Sequence, residues 1–367
     1  DIVKFKKDRI ICGRWKVVTR LGAGGCGSVY KVEDRHHPGF FAALKAESSV
    51  MGVDGLLKVE VVVLKKLAEV PYAVRLLDAG RRPEYSYMVL SLCGPDLLHL
   101  RARAPRRQLC ATTICRIGIF ALAAIKQLHD VGFVHRDVKP GNLVVGGERG
   151  REARIIYIID FGLIRSYVAE KKSRDGFEYR RARKGVNLRG TVRYCSVSVH
   201  KNVEQGRVDD LWSLMYVLAA LFHRLPWDDL SKRKTGRTRV KDLDSNAQLE
   251  RIGRVKEHSP DNEVFKGLPS EFSVICTYLR TVKADERPDY IKIYSLLRSE
   301  LVRKGVTFLA PFEWDAADTA DDLLRTAIEP SSVECRTGVA DKDETLQFSV
   351  FPMVSEENFA KPGCYKF

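Results

Sequence analysis

The sequence has no apolar run approaching the roughly 20 residues that a membrane-spanning helix needs. Its first residues, Asp1 to Arg9, alternate apolar with charged side chains, unlike the continuous apolar stretch of a signal peptide. Passage into or through a membrane is therefore not expected. There are nine cysteines but no C-x-x-C pair, which argues against a zinc site. Scattered thiols in odd number suit a reducing compartment, so a cytoplasmic location, extending to the nucleus, is expected. No internal repeat and no nucleic-acid recognition motif is found; a nucleic-acid partner is not expected, and the chain is read as a monomer.

With 367 residues, 45% of them hydrophobic and 30% charged, the chain can build one large domain or two lobes with a tail. The net charge of +15 is uneven: residues 306 to 367 hold twelve acidic and five basic side chains, so the remainder is more basic still. Such a body attracts anionic partners such as acidic, phosphorylated or cytoskeletal proteins, unless its Lys and Arg simply solvate the surface. The acidic tail could fold back on this basic surface and compete with a partner, or stay solvated.

Residues Arg14 to Ala46 carry β-branched and aromatic runs broken by glycines and Pro38, which predicts an antiparallel meander. Leu56 to Leu67 reads as a helix with Leu57, Val61, Leu64 and Leu67 on one face. A strand is expected over Tyr85 to Leu92, and helices over Thr112 to Asp130, Asp209 to Phe222, Glu271 to Val282 and Tyr290 to Arg303. The fold class is thus α+β, a small β-rich lobe followed by a larger helical one. The expected boundaries are an extension at 1–14, a small lobe at 15–90, a hinge at 91–94, a large lobe at 95–305 and a tail at 306–367. Lys171 to Arg189 and Ser231 to Lys241 are strongly basic and read as exposed loops.

Leu21-Gly22-Ala23-Gly24-Gly25-Cys26-Gly27-Ser28-Val29 contains G-x-G-x-x-G-x-V. Glycines let backbone N–H groups approach phosphate oxygens. A strand, not a helix, follows the glycines, so a dinucleotide fold is disfavoured and a lid over a nucleotide is favoured; a ligand-free glycine hairpin is the plain alternative. Cys26 at the tip could be reached by an oxidant. Lys45 ends Ala42-Ala43-Leu44-Lys45, the pattern of a strand lysine that holds phosphates, and Glu60 on the next helix is its expected partner; taken singly, both residue types are commoner on surfaces.

The strongest motif is His135-Arg136-Asp137-Val138-Lys139-Pro140-Gly141-Asn142, which matches H-R-D-x-x-x-x-N. Asp137 can take the proton of an attacking hydroxyl, Lys139 can neutralise the transferring phosphoryl group, and Asn142 can ligate a magnesium ion. Asp160-Phe161-Gly162, after the apolar run Ile155 to Ile159, supplies a second metal ligand in Asp160.

Taken in this order, the motifs show that Arg14 to Arg303 resembles the eukaryotic protein kinases. Gly190-Thr191-Val192-Arg193-Tyr194-Cys195-Ser196-Val197, in place of an A-P-E triplet, is similar to the casein kinase I group. Lys58 to Leu67, Gly206 to Leu214, Leu225-Pro226-Trp227, Arg287 to Tyr290 and Pro311 to Asp315 resemble its tau-tubulin kinase-like branch. The resemblance implies a bilobal kinase fold and a serine/threonine protein kinase that uses ATP and Mg2+. ATP would be held by the glycine loop from Leu21 to Val29, Ala43, Lys45, the gatekeeper Leu90 and the hinge residue Leu92. Thr191 would support the catalytic loop. Arg193, with bases of the 231–241 loop, would form an anion site for acidic or phosphorylated substrates, or else brace its own segment. A scaffold that keeps the fold without catalysis is the rival reading; every catalytic residue is present.

Overall fold

The computed structural model describes residues 3–360 apart from 25–26, 50–54, 148–153, 171–176, 184, 232–242, 309 and 316–353. Six antiparallel strands form the small lobe: β1 (Ile10–Ile11), β2 (Trp15–Gly24), β3 (Gly27–Asp34), β4 (Phe41–Ser48), β5 (Leu76–Arg81) and β6 (Tyr85–Ser91). Their order is β1-β2-β3-β4-β6-β5. Side chains alternate across a strand. In β4, Ala42, Leu44 and Ala46 are buried with Trp15, Val17, Tyr30, Val32 and Val89 in the small lobe's own core. Ala43 and Lys45 are consequently turned to the opposite face, where Lys45 is in register with Val29 on one side and Met88 on the other, and Ala43 with Leu90.

Helix α1 (Leu56–Lys66) crosses this face. Its buried residues are Leu57, Glu60, Val63 and Leu64, followed by Leu67; the expected Val61 is half-buried. A carboxylate therefore lies within an apolar stripe.

The segment before Arg14 is part of the lobe. Beyond the strand Ile10–Ile11, the Phe5 ring sits 5.2 Å from that of Tyr30 and 5.0 Å from that of Tyr85. The Tyr30 hydroxyl donates to the Val3 carbonyl at 2.9 Å.

The large lobe continues with α2 (Leu97–Arg103), α3 (Ala111–Asp130), the short strands β7 (Phe133–Val134), β8 (Leu143–Val145), β9 (Ile156–Ile158), β10 (Arg165–Ser166), β11 (Val168–Glu170) and β12 (Phe177–Tyr179), and helices α4 (Val197–His200), α5 (Arg207–Phe222), α6 (Asp228–Ser231), α7 (Leu243–His258), α8 (Asp261–Val264), α9 (Glu271–Thr281) and α10 (Tyr290–Arg303). Helix α2 is capped by Asp96, which accepts from Leu98 N at 2.8 Å and His99 N at 3.0 Å. Helix α3 is long and apolar enough by composition to cross a bilayer, but it is the buried axis of the lobe and packs against α5 and α10.

Two sequence expectations change here. The basic stretch from Lys171 to Arg189, read as a loop, contains strand β12, paired with β11. Tyr179 stacks on Tyr167 with ring centroids 5.9 Å apart, and the Arg207 guanidinium lies 4.7 and 5.1 Å from the two ring centroids. The second change concerns the tail. Arg116 in α3 is fully buried, lies 3.7 Å from the Phe312 ring and donates to the Ala310 and Pro311 carbonyls. Glu313 accepts from Cys110 N at 2.6 Å and Thr113 Oγ1 at 2.7 Å, placing a negative charge at the start of α3. A final helix, α11 (Glu356–Ala360), packs on α10 and brings the fully buried Phe359 against Tyr294, with centroids 4.6 Å apart. The described parts of the tail thus dock through aromatic and apolar side chains. Competition by its acidic residues falls mainly on 316–353, outside the described residues, as does most of the basic 231–241 stretch.

Candidate active site

Strand β4 and helix α1 bring Lys45 Nζ within 2.6 Å of Glu60 Oε1 and 3.0 Å of Asp160 Oδ1. Burial alone would pull the lysine's pKa down, but Glu60 and Asp160 outweigh it and hold the pKa above the ordinary value. Burial lifts the Glu60 carboxyl against the pull of Lys45. In Asp160 burial works upward, but Lys45, then His135 and Lys139, keep the carboxyl below its usual range. The lysine is therefore cationic and aimed at the residue expected to hold metal. Phe161, next in the chain, is buried beside α1 and lies 5.7 Å from the His135 ring.

The segment from His135 to Asn142 is fixed from below by Asp210 in α5, which sequence reasoning missed. Its carboxylate accepts from His135 N at 2.6 Å, Arg136 N at 2.8 Å and His129 Nε2 at 2.9 Å. The other His129 nitrogen then accepts from the Tyr290 hydroxyl at 2.7 Å. Burial holds His129 below its usual pKa. Burial would raise Asp210, yet the His129 hydrogen bond and the nearby His135 keep it low. A neutral imidazole thus donates to an ionised carboxylate. This anchor supports two residues in left-handed backbone, Arg136 at φ 67° and Asp160 at φ 65°, a conformation that costs about 1–2 kcal/mol outside glycine. The sequence signal was the acidic pair Asp209-Asp210 opening an otherwise apolar helix.

Asp137 is 8% exposed. Its Oδ1 accepts from Thr191 Oγ1 at 2.7 Å and its Oδ2 from Lys139 Nζ at 2.6 Å. Asn142 Nδ2 donates to the Asp137 carbonyl at 3.0 Å, which leaves the amide oxygen available to a cation. Asp160, with 38% of its side chain exposed, adds a carboxylate. Among the described residues no group of three or more His, Cys, Asp or Glu could hold a metal unaided. Two oxygen donors suit magnesium, which keeps waters and takes phosphate oxygens as further ligands, so the residues present fit that ion.

On the side expected to hold the nucleotide, Gly22 pairs with Val29, Ala23 with Ser28 and Gly24 with Gly27 across the β2–β3 hairpin. Ser28 is buried on the Tyr30 face, so it could meet a phosphate through its backbone alone. Leu21 is half-exposed, Leu90 partly buried, and Gly94 N donates to the Val145 carbonyl at 2.8 Å, tying the hinge around Leu92 to the large lobe. Gly25 and Cys26 lie outside the described residues.

Gly190 has φ +96°, and a Cβ there would come 2.3 Å from the Arg136 carbonyl oxygen. Gly190→Ala would push the following segment off the catalytic loop and break the Thr191–Asp137 hydrogen bond. The phosphotransfer that the sequence resemblance implies should then fall at least about 10²-fold in kcat, measured against a nucleotide affinity that stays within about threefold.

Arg193 is forked onto Asp228, with Nε–Oδ1 and Nη2–Oδ2 both 2.6 Å, and its carbonyl accepts from Trp227 Nε1 at 2.8 Å. The side chain expected to hold a substrate anion already has a carboxylate of its own. Nearby, burial and then Arg193 push Arg101 down, and Arg101 Nε is buried with no hydrogen-bond partner among the described residues.

His200 lies behind the same segment, Nε2 3.4 Å from Cys195 Sγ. Burial, then Lys256, pushes its pKa to about 4. The folded protein refuses a proton that the unfolded chain accepts near pH 6.5, so stability falls as pH drops from about 6.5 towards 4. The effect should be on the order of 1–2 kcal/mol after solvent screening. Urea titrations at pH 7 and 4.5 should show a smaller difference for His200→Phe than for wild type.

Residues 15–299 match the family model described as the protein kinase domain. A Caenorhabditis elegans protein named as a serine/threonine-protein kinase is 37% identical over 307 residues, which cover 83% of each chain. A Dictyostelium discoideum protein, also named as a serine/threonine-protein kinase, is 32% identical over 314 residues; the match covers 85% of this chain and 59% of that protein's length.

Proposed function

The chain belongs to the protein kinase family and is a protein serine/threonine kinase, and from that premise we propose that its cleft moves the γ-phosphate of ATP onto hydroxyls in acidic or already phosphorylated stretches of other proteins. One observation carries the catalytic part: Asp137 is held by Thr191 and Lys139 beside an intact Lys45–Glu60–Asp160 chain. Asp137 accepts the proton of the attacking hydroxyl. Lys139 places positive charge beside the same carboxylate, where phosphoryl charge develops. Lys45, aimed by Glu60, grips the α- and β-phosphates. Asn142 and Asp160 would hold Mg2+, which supplies charge neutralisation for the phosphates.

The substrate preference is supported by Arg101, which lies within electrostatic reach of the Arg193–Asp228 pair beside the segment that follows Thr191, so that two guanidinium groups share one carboxylate. The pair keeps a surplus positive charge, which favours a phosphate or carboxylate on the substrate. The block from Gly190 to Val197 and the docked Pro311 to Asp315 element support placement in the casein kinase I group, with the tau-tubulin kinase-like branch. The thiol pattern supports a cytoplasmic protein.

Matched peptides test this. A serine peptide preceded by phosphoserine or aspartate should exceed its alanine counterpart about tenfold in kcat/KM, a difference worth about 1.4 kcal/mol. Equal efficiency would remove the preference. ATP binding without transfer to any peptide would replace the catalyst by a scaffold.

A further inference from the structure

Lys256, in α7, is 5% exposed. Its Nζ donates to the Val192 and Cys195 carbonyls, both at 2.6 Å. The remaining surroundings are soft: Cys195 Sγ at 3.8 Å, the Tyr216 ring at 5.4 Å and the Trp227 ring at 5.3 Å. Among the described residues no carboxylate forms an ion pair with it. A buried cation of this kind costs stability, because desolvation is not repaid by an opposite charge. The cost shows in the ammonium itself, which burial pushes down to about 8 despite the opposing pull of Cys195. An apolar side chain would avoid that desolvation but leave the two carbonyls without this donor. The residue's value must lie in what the two carbonyls do.

Those carbonyls belong to the segment from Gly190 to Ser196, which is gripped along its length. Thr191 holds Asp137. Trp227 Nε1 holds the Arg193 carbonyl, and the Arg193 side chain is forked onto Asp228. Ser196 Oγ donates to Asp209 Oδ1 at 2.5 Å. Lys256 closes the loop from behind: it ties Val192 and Cys195 to one point and so sets the curvature between Thr191 and Ser196.

We propose that Lys256 is a positioning residue for protein substrate, its ammonium shaping the 190–196 segment into the floor on which the substrate backbone lies next to Asp137. The inference rests on the kinase reading and adds a residue that acts through the segment without touching the nucleotide.

Lys256→Met, which keeps most of the unbranched side chain and removes the charge and donors, tests it. The peptide KM should rise about tenfold while kcat changes by less than about threefold and nucleotide affinity by less than about twofold. The melting temperature should change little, because relief of the buried charge offsets the two carbonyls left without this donor. Amide hydrogen exchange should quicken in residues 191–196 and stay unchanged in β4 and α1. An unchanged KM with unchanged exchange would overturn the proposal. So would a variant that fails to fold or loses peptide and nucleotide binding together, since Lys256 would then be a structural support. If the wild type binds ATP yet transfers no phosphate, the kinase reading fails, and the exchange measurement still decides Lys256.

Discussion

Replacing Asp137 by alanine should lower peptide phosphorylation by about 10²–10⁴-fold in kcat, the range that a positioned general base contributes. The reason is geometric. Both carboxylate oxygens are oriented by neighbours, Thr191 on one and Lys139 on the other, so the group proposed to receive the hydroxyl proton is already aimed. Neither neighbour can replace it: a threonine hydroxyl is a poor base, and Lys139 Nζ is the donor in its contact with Asp137. Nucleotide binding should survive, because Lys45, Glu60 and Asp160 form a separate chain. Isothermal titration with ATP and magnesium, run beside a phosphotransfer assay, should show the two properties part. A variant retaining more than about a tenth of wild-type kcat would remove Asp137 from the role of base.

Lys45→Met should be nearly as damaging to activity and much worse for stability. Glu60 is 1% exposed, and its second oxygen has no partner among the described residues. Without Lys45 an uncompensated carboxylate is left in the interior, at a cost of about 3–5 kcal/mol. The sign with pH follows from the direction of the shift. Burial already raises Glu60, and removing the cation raises it further, so the variant is least harmed below the ordinary carboxylate range and loses stability as pH rises. Melting curves at pH 5 and 8 should diverge for Lys45→Met more than for wild type. Adding Glu60→Leu should restore the melting temperature, because an apolar pair packs without desolvation cost, yet leave phosphotransfer at least about 10²-fold down. Recovery of activity in the double variant would mean that the lysine is structural.

The candidate catalytic residues were legible because the chemistry proposed for them depends on short fixed spacings. Asp137 and Asn142 share one loop, and Lys45 falls on the cleft side of β4 by simple alternation. Glu60 could be found because it is the one carboxylate in the helix that follows Lys45. What escaped depended on distant contacts. Asp210 matters because α5 carries it beneath His135; the acidic pair that opens the helix marks it as unusual, but only the fold shows what it holds. The basic stretch after Lys171 looked like a loop because a three-residue strand has no periodicity to detect; its order comes from Tyr179 meeting Tyr167 and Arg207. For Arg193 two expectations stood, an anion site or a brace for its own segment. Its spatial neighbour Asp228, thirty-five residues on, had no sequence signal tying the two together.

The match to the family stops at residue 299, but the hydrophobic interior does not. Phe312 covers Arg116, and Phe359 covers Tyr294. An excised catalytic core trimmed at the family boundary would therefore carry two bare sockets on its underside, each shaped for an aromatic plug. Such a fragment would be stickier than the whole chain, and poor behaviour on a column would say nothing about its chemistry.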